Sequence, residues 1–164
     1  MIKIKLCAVI CMFFLAGCGA ESSRNEGGSM NEDIKMSYRL EGAYSPYRYV
    51  QADIKGEGRL KIEYELYSEY VNESPSGRNV VEAELEKNKV RKMLDIYLES
   101  DFFNVEFHDL NKESINVTDV GTTTLSLSYG DKERTISYGY IEENPFQKIL
   151  QSYWSLLEKH LPVR

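Results

Sequence analysis

The chain has 164 residues, and its 20 Lys and Arg against 26 Asp and Glu give a net charge of −6 at neutral pH. An acidic overall field does not attract nucleic acid or anionic lipid, which excludes a general nucleic-acid-binding role. The three cysteines, Cys7, Cys11 and Cys18, all precede residue 19. The rest of the chain therefore contains no disulfide and must be stabilised by core packing.

Residues 1–17 have the layout of a secretory signal peptide, because Lys3 and Lys5 precede an apolar run and small residues follow it. The run is too short for a transmembrane helix, which needs about 20 apolar residues. Its last residues, Leu-Ala-Gly-Cys at 15–18, resemble the lipobox of bacterial lipoproteins. That resemblance implies that a diacylglycerol, with acyl chains such as palmitate, is attached to Cys18 through a thioether and that cleavage makes Cys18 the new N-terminus. Ordinary cleavage without lipid is the alternative.

The lipobox implies a cell-envelope protein whose membrane partner is reached through the lipid on Cys18. Gly19 follows, where an Asp commonly signals inner-membrane retention in Gram-negative lipoproteins. If the source has an outer membrane, we therefore expect the protein there, facing the periplasm or the surface. Since the signal contains Lys3 and Lys5 and no acid, its loss changes the net charge from −6 to −8.

We divide the chain into a signal peptide (1–17), a lipidated cysteine with a flexible tether (18–35) and one globular domain (36–164). The tether is rich in Gly, Ser, Asn and Glu, and such a chain spans roughly 20–25 Å. The remaining length is typical of a single domain with its own core.

Alternating and aromatic-rich runs predict four strands in the first half of the domain. They are Met36–Tyr44, Arg48–Ile54, 60–67 and 81–86. Turn-forming residues separate these runs.

The second half predicts a helix, a hairpin and a second helix. Apolar residues at helical spacing mark 90–98, and period-two alternation marks a hairpin at 124–129 and 136–140. We expect Asn144 to cap the last helix and Pro145 to be its first residue.

These elements predict an α+β fold in the order strands, helix, strands, helix. We expect a mostly antiparallel sheet of about six strands, with the two amphipathic helices packed on one face.

Leu98–Phe103 and Val117–Leu125, together with the pair Tyr138-Gly139, resemble a family of small bacterial lipoprotein domains of unknown function. The resemblance covers roughly residues 36–160. At the front, Tyr44–Tyr47 lacks the cysteine of the family's motif with Cys and Pro. The resemblance implies a fold and an envelope location, and it implies no chemistry.

The candidate binding residues are Tyr47, Tyr49, Tyr67 and Asp119. Exposed tyrosines add contact area at recognition surfaces with few rotatable bonds, and Asp119 is a polar residue on the rim of the same face. Packing within strands is the other interpretation of the tyrosines, and a structural turn is the other interpretation of Asp119.

His108 and Asp109 form the one local cluster suited to a metal such as zinc, with Asp119 as a further carboxylate. An exposed loop histidine among solubilising acids is the simpler interpretation. We expect no cofactor and no catalytic residue, since the mature chain has no free thiol and no serine in a Gly-x-Ser-x-Gly motif.

The sequence thus favours a lipid-anchored, non-enzymatic envelope domain that binds a protein or a polymer. The alternatives are an envelope enzyme, such as a metal-dependent hydrolase, and an inhibitor or immunity-type lipoprotein.

Overall fold

A computed structural model describes residues 33–42, 46–67, 77–108, 121–139, 141 and 143–162. Predictions on Cys18, Asp109 and Asp119 lie outside the described residues. The elements are the strands β1 (Lys35–Glu41), β2 (Tyr47–Lys55), β3 (Arg59–Leu66) and β4 (Asn79–Glu84), the helix α1 (Lys87–Glu99), the strands β5 (Thr122–Tyr129) and β6 (Lys132–Tyr138), and the helix α2 (Gln147–Leu157).

The six strands form one sheet in the order β4-β3-β2-β1-β5-β6, and every neighbouring pair is antiparallel. The predicted α+β class and the antiparallel sheet of six strands are confirmed. The pairing of β1 with β5 brings the two halves of the chain together at the centre of the sheet.

Alternation along each strand gives the sheet two different faces. In β1, Met36, Tyr38 and Leu40 are buried, whereas Ser37 and Arg39 between them are partly exposed. We call the side that carries Tyr38 the apolar face and the side that carries Ser37 the polar face. Buried side chains of the apolar face and of both helices belong to one hydrophobic core.

Aromatic rings form the centre of this core and join separate elements. The Tyr38 ring of β1 stacks on Tyr153 of α2 at 5.2 Å between centroids, and Tyr153 meets Tyr97 of α1 edge-on at 6.5 Å. Phe102 continues the row at 4.9 Å from Tyr97, and Phe146 lies 5.8 Å beyond it. We call these five residues the aromatic cluster. The cluster ties the sheet to both helices.

The turn between β2 and β3 packs closely against the end of β4. Gly58 has a φ of +103° and accepts a hydrogen bond from the Leu85 amide at 2.8 Å. A Cβ at Gly58 would lie 2.5 Å from the Leu85 carbonyl oxygen, so glycine is required for both conformation and space.

The start of α2 differs from the prediction. Helix α2 begins at Gln147, two residues after Pro145, and no side chain caps it at Phe146. Instead, Asn144 Oδ1 accepts the Phe146 amide at 2.9 Å, which is the geometry of an Asx turn. Phe146, which belongs to the aromatic cluster, is thereby held in this turn directly before the first residue of the helix.

Candidate binding face

The polar face is built by residues at alternate positions of all six strands. The register aligns Ser37 with Asp53 on one side and Ser126 on the other, and it continues to Lys61 and Thr135. The β2–β4 half of this face is mostly charged, whereas the β5–β6 half is mostly hydroxylated.

One concavity of about 510 Å³ occupies the end of the polar face where β1 begins. Lys35 and Lys55 are direct cross-strand partners there, and Ser128 is the partner of Lys35 on the other side. We call it the lysine concavity. Its polar lining side chains are Lys35, Ser37, Asp53, Lys55, Arg59, Lys61, Glu82, Ser126, Ser128 and Glu133.

A second concavity, of about 370 Å³, lies at the opposite end of the same face. Arg78 covers the Tyr49 ring at 4.1 Å from its centroid, and Tyr67 lines the same space. Arg48 crosses the rim to Glu65 with an ion pair at 3.3 Å. We call it the tyrosine concavity. Tyr49 is only 6% exposed beneath Arg78, contrary to the expectation of an exposed ring, so the aromatic surface of this concavity comes from Tyr67. Aromatic surface beside guanidinium groups suits polar ligands with planar or acidic groups.

A row of hydrogen bonds along β2 connects the two concavities. The Tyr49 hydroxyl donates to Gln51 Oε1 at 2.5 Å, and Gln51 Nε2 donates to Asp53 Oδ2 at 2.8 Å. Burial raises the pKa of Tyr49, and Arg78 acts in the opposite direction. Burial also raises the pKa of Asp53, against the hydrogen bond from Gln51. The row holds these three side chains in fixed orientations.

The hydroxyl half of the polar face is ordered by cross-strand pairs. Thr124 Oγ1 and Ser137 Oγ lie 2.9 Å apart, as do Ser126 Oγ and Thr135 Oγ1. Each hydroxyl in such a pair keeps further capacity to donate or accept. This half of the face therefore presents a regular array of hydrogen-bonding groups.

The structure separates the candidate tyrosines. Tyr49 and Tyr67 line the tyrosine concavity together. Tyr47 belongs to the hydrophobic core, where its ring meets Tyr64 edge-on at 5.9 Å. The prediction for Tyr47 is wrong, because the register of β2 against β3 shifts between Tyr47 and Tyr49. The irregularity directs Tyr47 into the core and leaves Tyr49 on the polar face.

The structure offers no support for a metal site around His108 within the part of the chain it describes. His108 is exposed at the end of the segment 77–108, and its proposed partners Asp109 and Asp119 lie outside that part. No group of three or more His, Cys, Asp or Glu side chains suited to a metal occurs among the described residues.

No motif in the sequence pointed to five further residues of this face, namely Lys35, Gln51, Asp53, Lys55 and Arg78. Alternation in β1 and β2 was the available signal, since it already separates these polar positions from the apolar ones. The signal becomes specific only with the strand register, which sets Lys35 against Lys55.

Comparison with protein-family models gives no match for this chain, and comparison with curated proteins gives none either. Neither α1 nor α2, the two helices of the described ranges, is long and apolar enough to span a bilayer.

Proposed function

We propose that this protein is a lipid-anchored cell-envelope protein whose globular domain binds a polar partner through the polar face and catalyses no reaction. Its anchor is the acylated Cys18, and residues 19–35 are the tether. In an organism with an outer membrane, Gly19 favours that membrane. The motifs at Leu98–Phe103 and Val117–Leu125 support membership of the small lipoprotein family they resemble.

The proposal includes an arrangement in which both helices cover the apolar face. Its support is the contact of Tyr153 of α2 with Tyr38, and the hydrogen bond of 3.2 Å from the Tyr97 hydroxyl of α1 to the Ser37 carbonyl oxygen. With both helices on the apolar face, neither α1 nor α2 covers the polar face, which supports a role for that face in binding.

The observation that carries the proposal is the pairing of two concavities on one polar face, joined by the row Tyr49–Gln51–Asp53. Concave sites with a few fixed polar groups are the usual form of ligand sites. The described residues of this face include neither histidine nor cysteine, which favours binding over nucleophilic catalysis.

A partly exposed cation near the middle of the face supports the same conclusion. Arg39 Nη2 pairs with Glu41 at 3.6 Å, and these side chains are 43% and 44% exposed, so the outer guanidinium nitrogens of Arg39 are accessible to a ligand. Arg39 pairs in register with Gln51 and Thr124, so it lies between the charged and hydroxyl halves of the face.

The anchor is tested by metabolic labelling with palmitate and by envelope fractionation. We expect label in the wild-type protein and none in Cys18→Ser, with the variant lost from the membrane fraction. A Cys18→Ser protein processed and located like wild type would refute the anchor.

The binding face is tested by replacing single residues with a photo-cross-linking amino acid in living cells. At Tyr67 in the tyrosine concavity we expect a discrete cross-linked species. At Lys148, an exposed residue of α2, we expect none. Identical patterns at the two positions, or no product at Tyr67, would refute recognition through the polar face.

A further inference from the structure

We infer that the lysine concavity binds the phosphate group of a phosphorylated polyol, with Lys35 and Lys55 as the anion-binding pair. This inference rests on the proposed function, because it assigns a ligand chemistry to one end of the proposed binding face. The net negative charge of the chain does not by itself indicate an anionic ligand, whereas the local arrangement of these lysines does.

The charge arrangement at Lys35 and Lys55 is the first support. Residues directly opposite on one face of antiparallel strands have their Cβ atoms about 5 Å apart, and like charges there repel each other. Neither ammonium group has an ion pair with any described carboxylate. The cations that continue the cluster on β3 are already paired, Lys61 with Glu63 at 2.6 Å and Arg59 with Glu57 at 3.2 Å. Lys55 also acts electrostatically on Asp53, but without a direct ion pair, so Lys35 and Lys55 are the pair that an external anion would neutralise.

Hydroxyl groups next to this pair complete an anion site. Ser128 is the cross-strand partner of Lys35, and Ser126 is the partner of Ser37 one step further along the sheet. Serine hydroxyls donate to phosphate oxygens in the same way as lysine ammonium groups, although more weakly. Two ammonium groups and adjacent hydroxyls match the several acceptor oxygens of one phosphate.

Carboxylates on the remaining sides define the rest of the ligand. Asp53 lies across from Ser37 and is oriented by Gln51, while Glu82 and Glu133 line the outer strands. These groups accept hydrogen bonds and repel further negative charge. A ligand with one phosphate and neighbouring hydroxyls satisfies both parts of the concavity, whereas a polyanion does not. The volume of about 510 Å³ is in the range of small-molecule sites.

The test uses the purified full-length processed protein in neutral detergent, titrated with glycerol 3-phosphate in a calorimeter. We expect weak, saturable binding with a Kd on the order of 1 mM or below. The double variant Lys35→Gln/Lys55→Gln is expected to raise that Kd about tenfold or more, because each lysine contributes a charge-assisted hydrogen bond. Glycerol without phosphate is expected not to bind.

A matched variant controls for net charge. Lys92→Gln/Lys148→Gln removes the same charge from exposed positions on α1 and α2, and its Kd should stay within about twofold of the wild type. Equal weakening by both double variants would mean general charge attraction and would overturn the inference. Absence of saturable binding by the wild type would overturn it as well. The cross-linking result at Tyr67 would remain valid in either case, so the two proposals fail separately.

The phosphate could belong to a soluble ligand or to a lipid headgroup within reach of the tether. The same titration is repeated in bilayer discs of phosphatidylcholine with and without phosphatidylglycerol, whose headgroup carries a glycerol phosphate. A higher apparent Kd in the anionic discs identifies competing headgroups as the ligand source. An unchanged Kd identifies a soluble phosphorylated polyol. Both results require the Lys35–Lys55 site.

Discussion

The two faces of the sheet are built from the same strands and are stabilised in different ways. Along β1, Tyr38 is buried against the Tyr153 and Trp154 rings of α2, whereas Ser37 next to it lies between Asp53 and Ser126. The apolar face gains stability from buried area and ring packing. The polar face is held by pairs of hydroxyl and charged groups that remain in contact with water, where each pair contributes little.

Stability depends mainly on the apolar face of this sheet, whereas the proposed binding depends on the polar face. A change on the apolar face disturbs packing that joins the sheet to the helices. A change on the polar face leaves that packing intact and, under the proposed function, alters which ligand groups are recognised. The effects of substitutions on the two faces should therefore differ in size and in the property affected, which is the free energy of unfolding for the apolar face and ligand affinity for the polar face.

Tyr153→Ala is expected to have the largest effect, because Tyr153 is fully buried and contacts both Tyr38 and Tyr97. Loss of a buried aromatic ring typically costs about 3–5 kcal/mol of unfolding free energy. Urea unfolding followed by circular dichroism measures it. Tyr129→Ala, at a residue 39% exposed, is the control and should cost well below half of that. Equal losses at the two positions would contradict the assignment of the apolar face.

Tyr97→Phe is expected to cost roughly 1–2 kcal/mol, since it removes a hydroxyl and keeps the ring. That hydroxyl lies 3.2 Å from the Ser37 carbonyl oxygen and 3.3 Å from the Tyr153 hydroxyl. The same unfolding measurement applies, with Tyr67→Phe, at a partly exposed residue directly after β3, as its control. If Tyr97→Phe were as stable as wild type, these hydrogen bonds would contribute nothing to the link between α1 and β1.

Much of this division could be predicted from the sequence, because each strand carries its own period-two pattern. The alternation in 60–67 predicted β3, and the stripe in 90–98 predicted α1. The site could not be predicted in the same way. Lys35 and Lys55 are 20 positions apart, and only the β1–β2 register makes them neighbours. Tyr47 was misassigned because a shift in pairing breaks the alternation that the sequence pattern assumes.

The pH dependence of the stability of Asp53→Asn tests the burial of a carboxyl group on the polar face. Its effect on stability is expected to be smaller than that of Tyr97→Phe. Burial raises the pKa of Asp53, so the folded protein binds this proton more tightly than the unfolded chain. The stabilisation that protonated Asp53 contributes is therefore fully present below the pKa that this group has in the unfolded chain. It is lost as the pH rises through the higher pKa of Asp53 in the folded protein. We expect Asp53→Asn to raise Tm near neutral pH and to match wild type at about pH 3.

Glu133→Gln is the control for Asp53→Asn, since it removes a carboxylate from the exposed edge of the same face. A lower Tm for Asp53→Asn near neutral pH would show that the Asp53 carboxylate is stabilised where it lies. That result would contradict the cost of burial inferred for this group.

Lys35→Gln is expected to have the smallest effect, a slight gain in stability, because it removes the repulsion between Lys35 and Lys55. Relief of an opposed like-charge pair is worth roughly 0.2–0.5 kcal/mol, and salt should reduce the gain by screening. Thermal unfolding at low and high salt measures it, with Lys92→Gln on α1 expected to give no gain. Glycerol 3-phosphate should reverse the order, since a ligand that binds only the folded wild type stabilises it by mass action. If Lys35→Gln were less stable than wild type without ligand, the charges of the two lysines would already be neutralised within the protein. No uncompensated positive charge would then remain on the polar face to bind a phosphate.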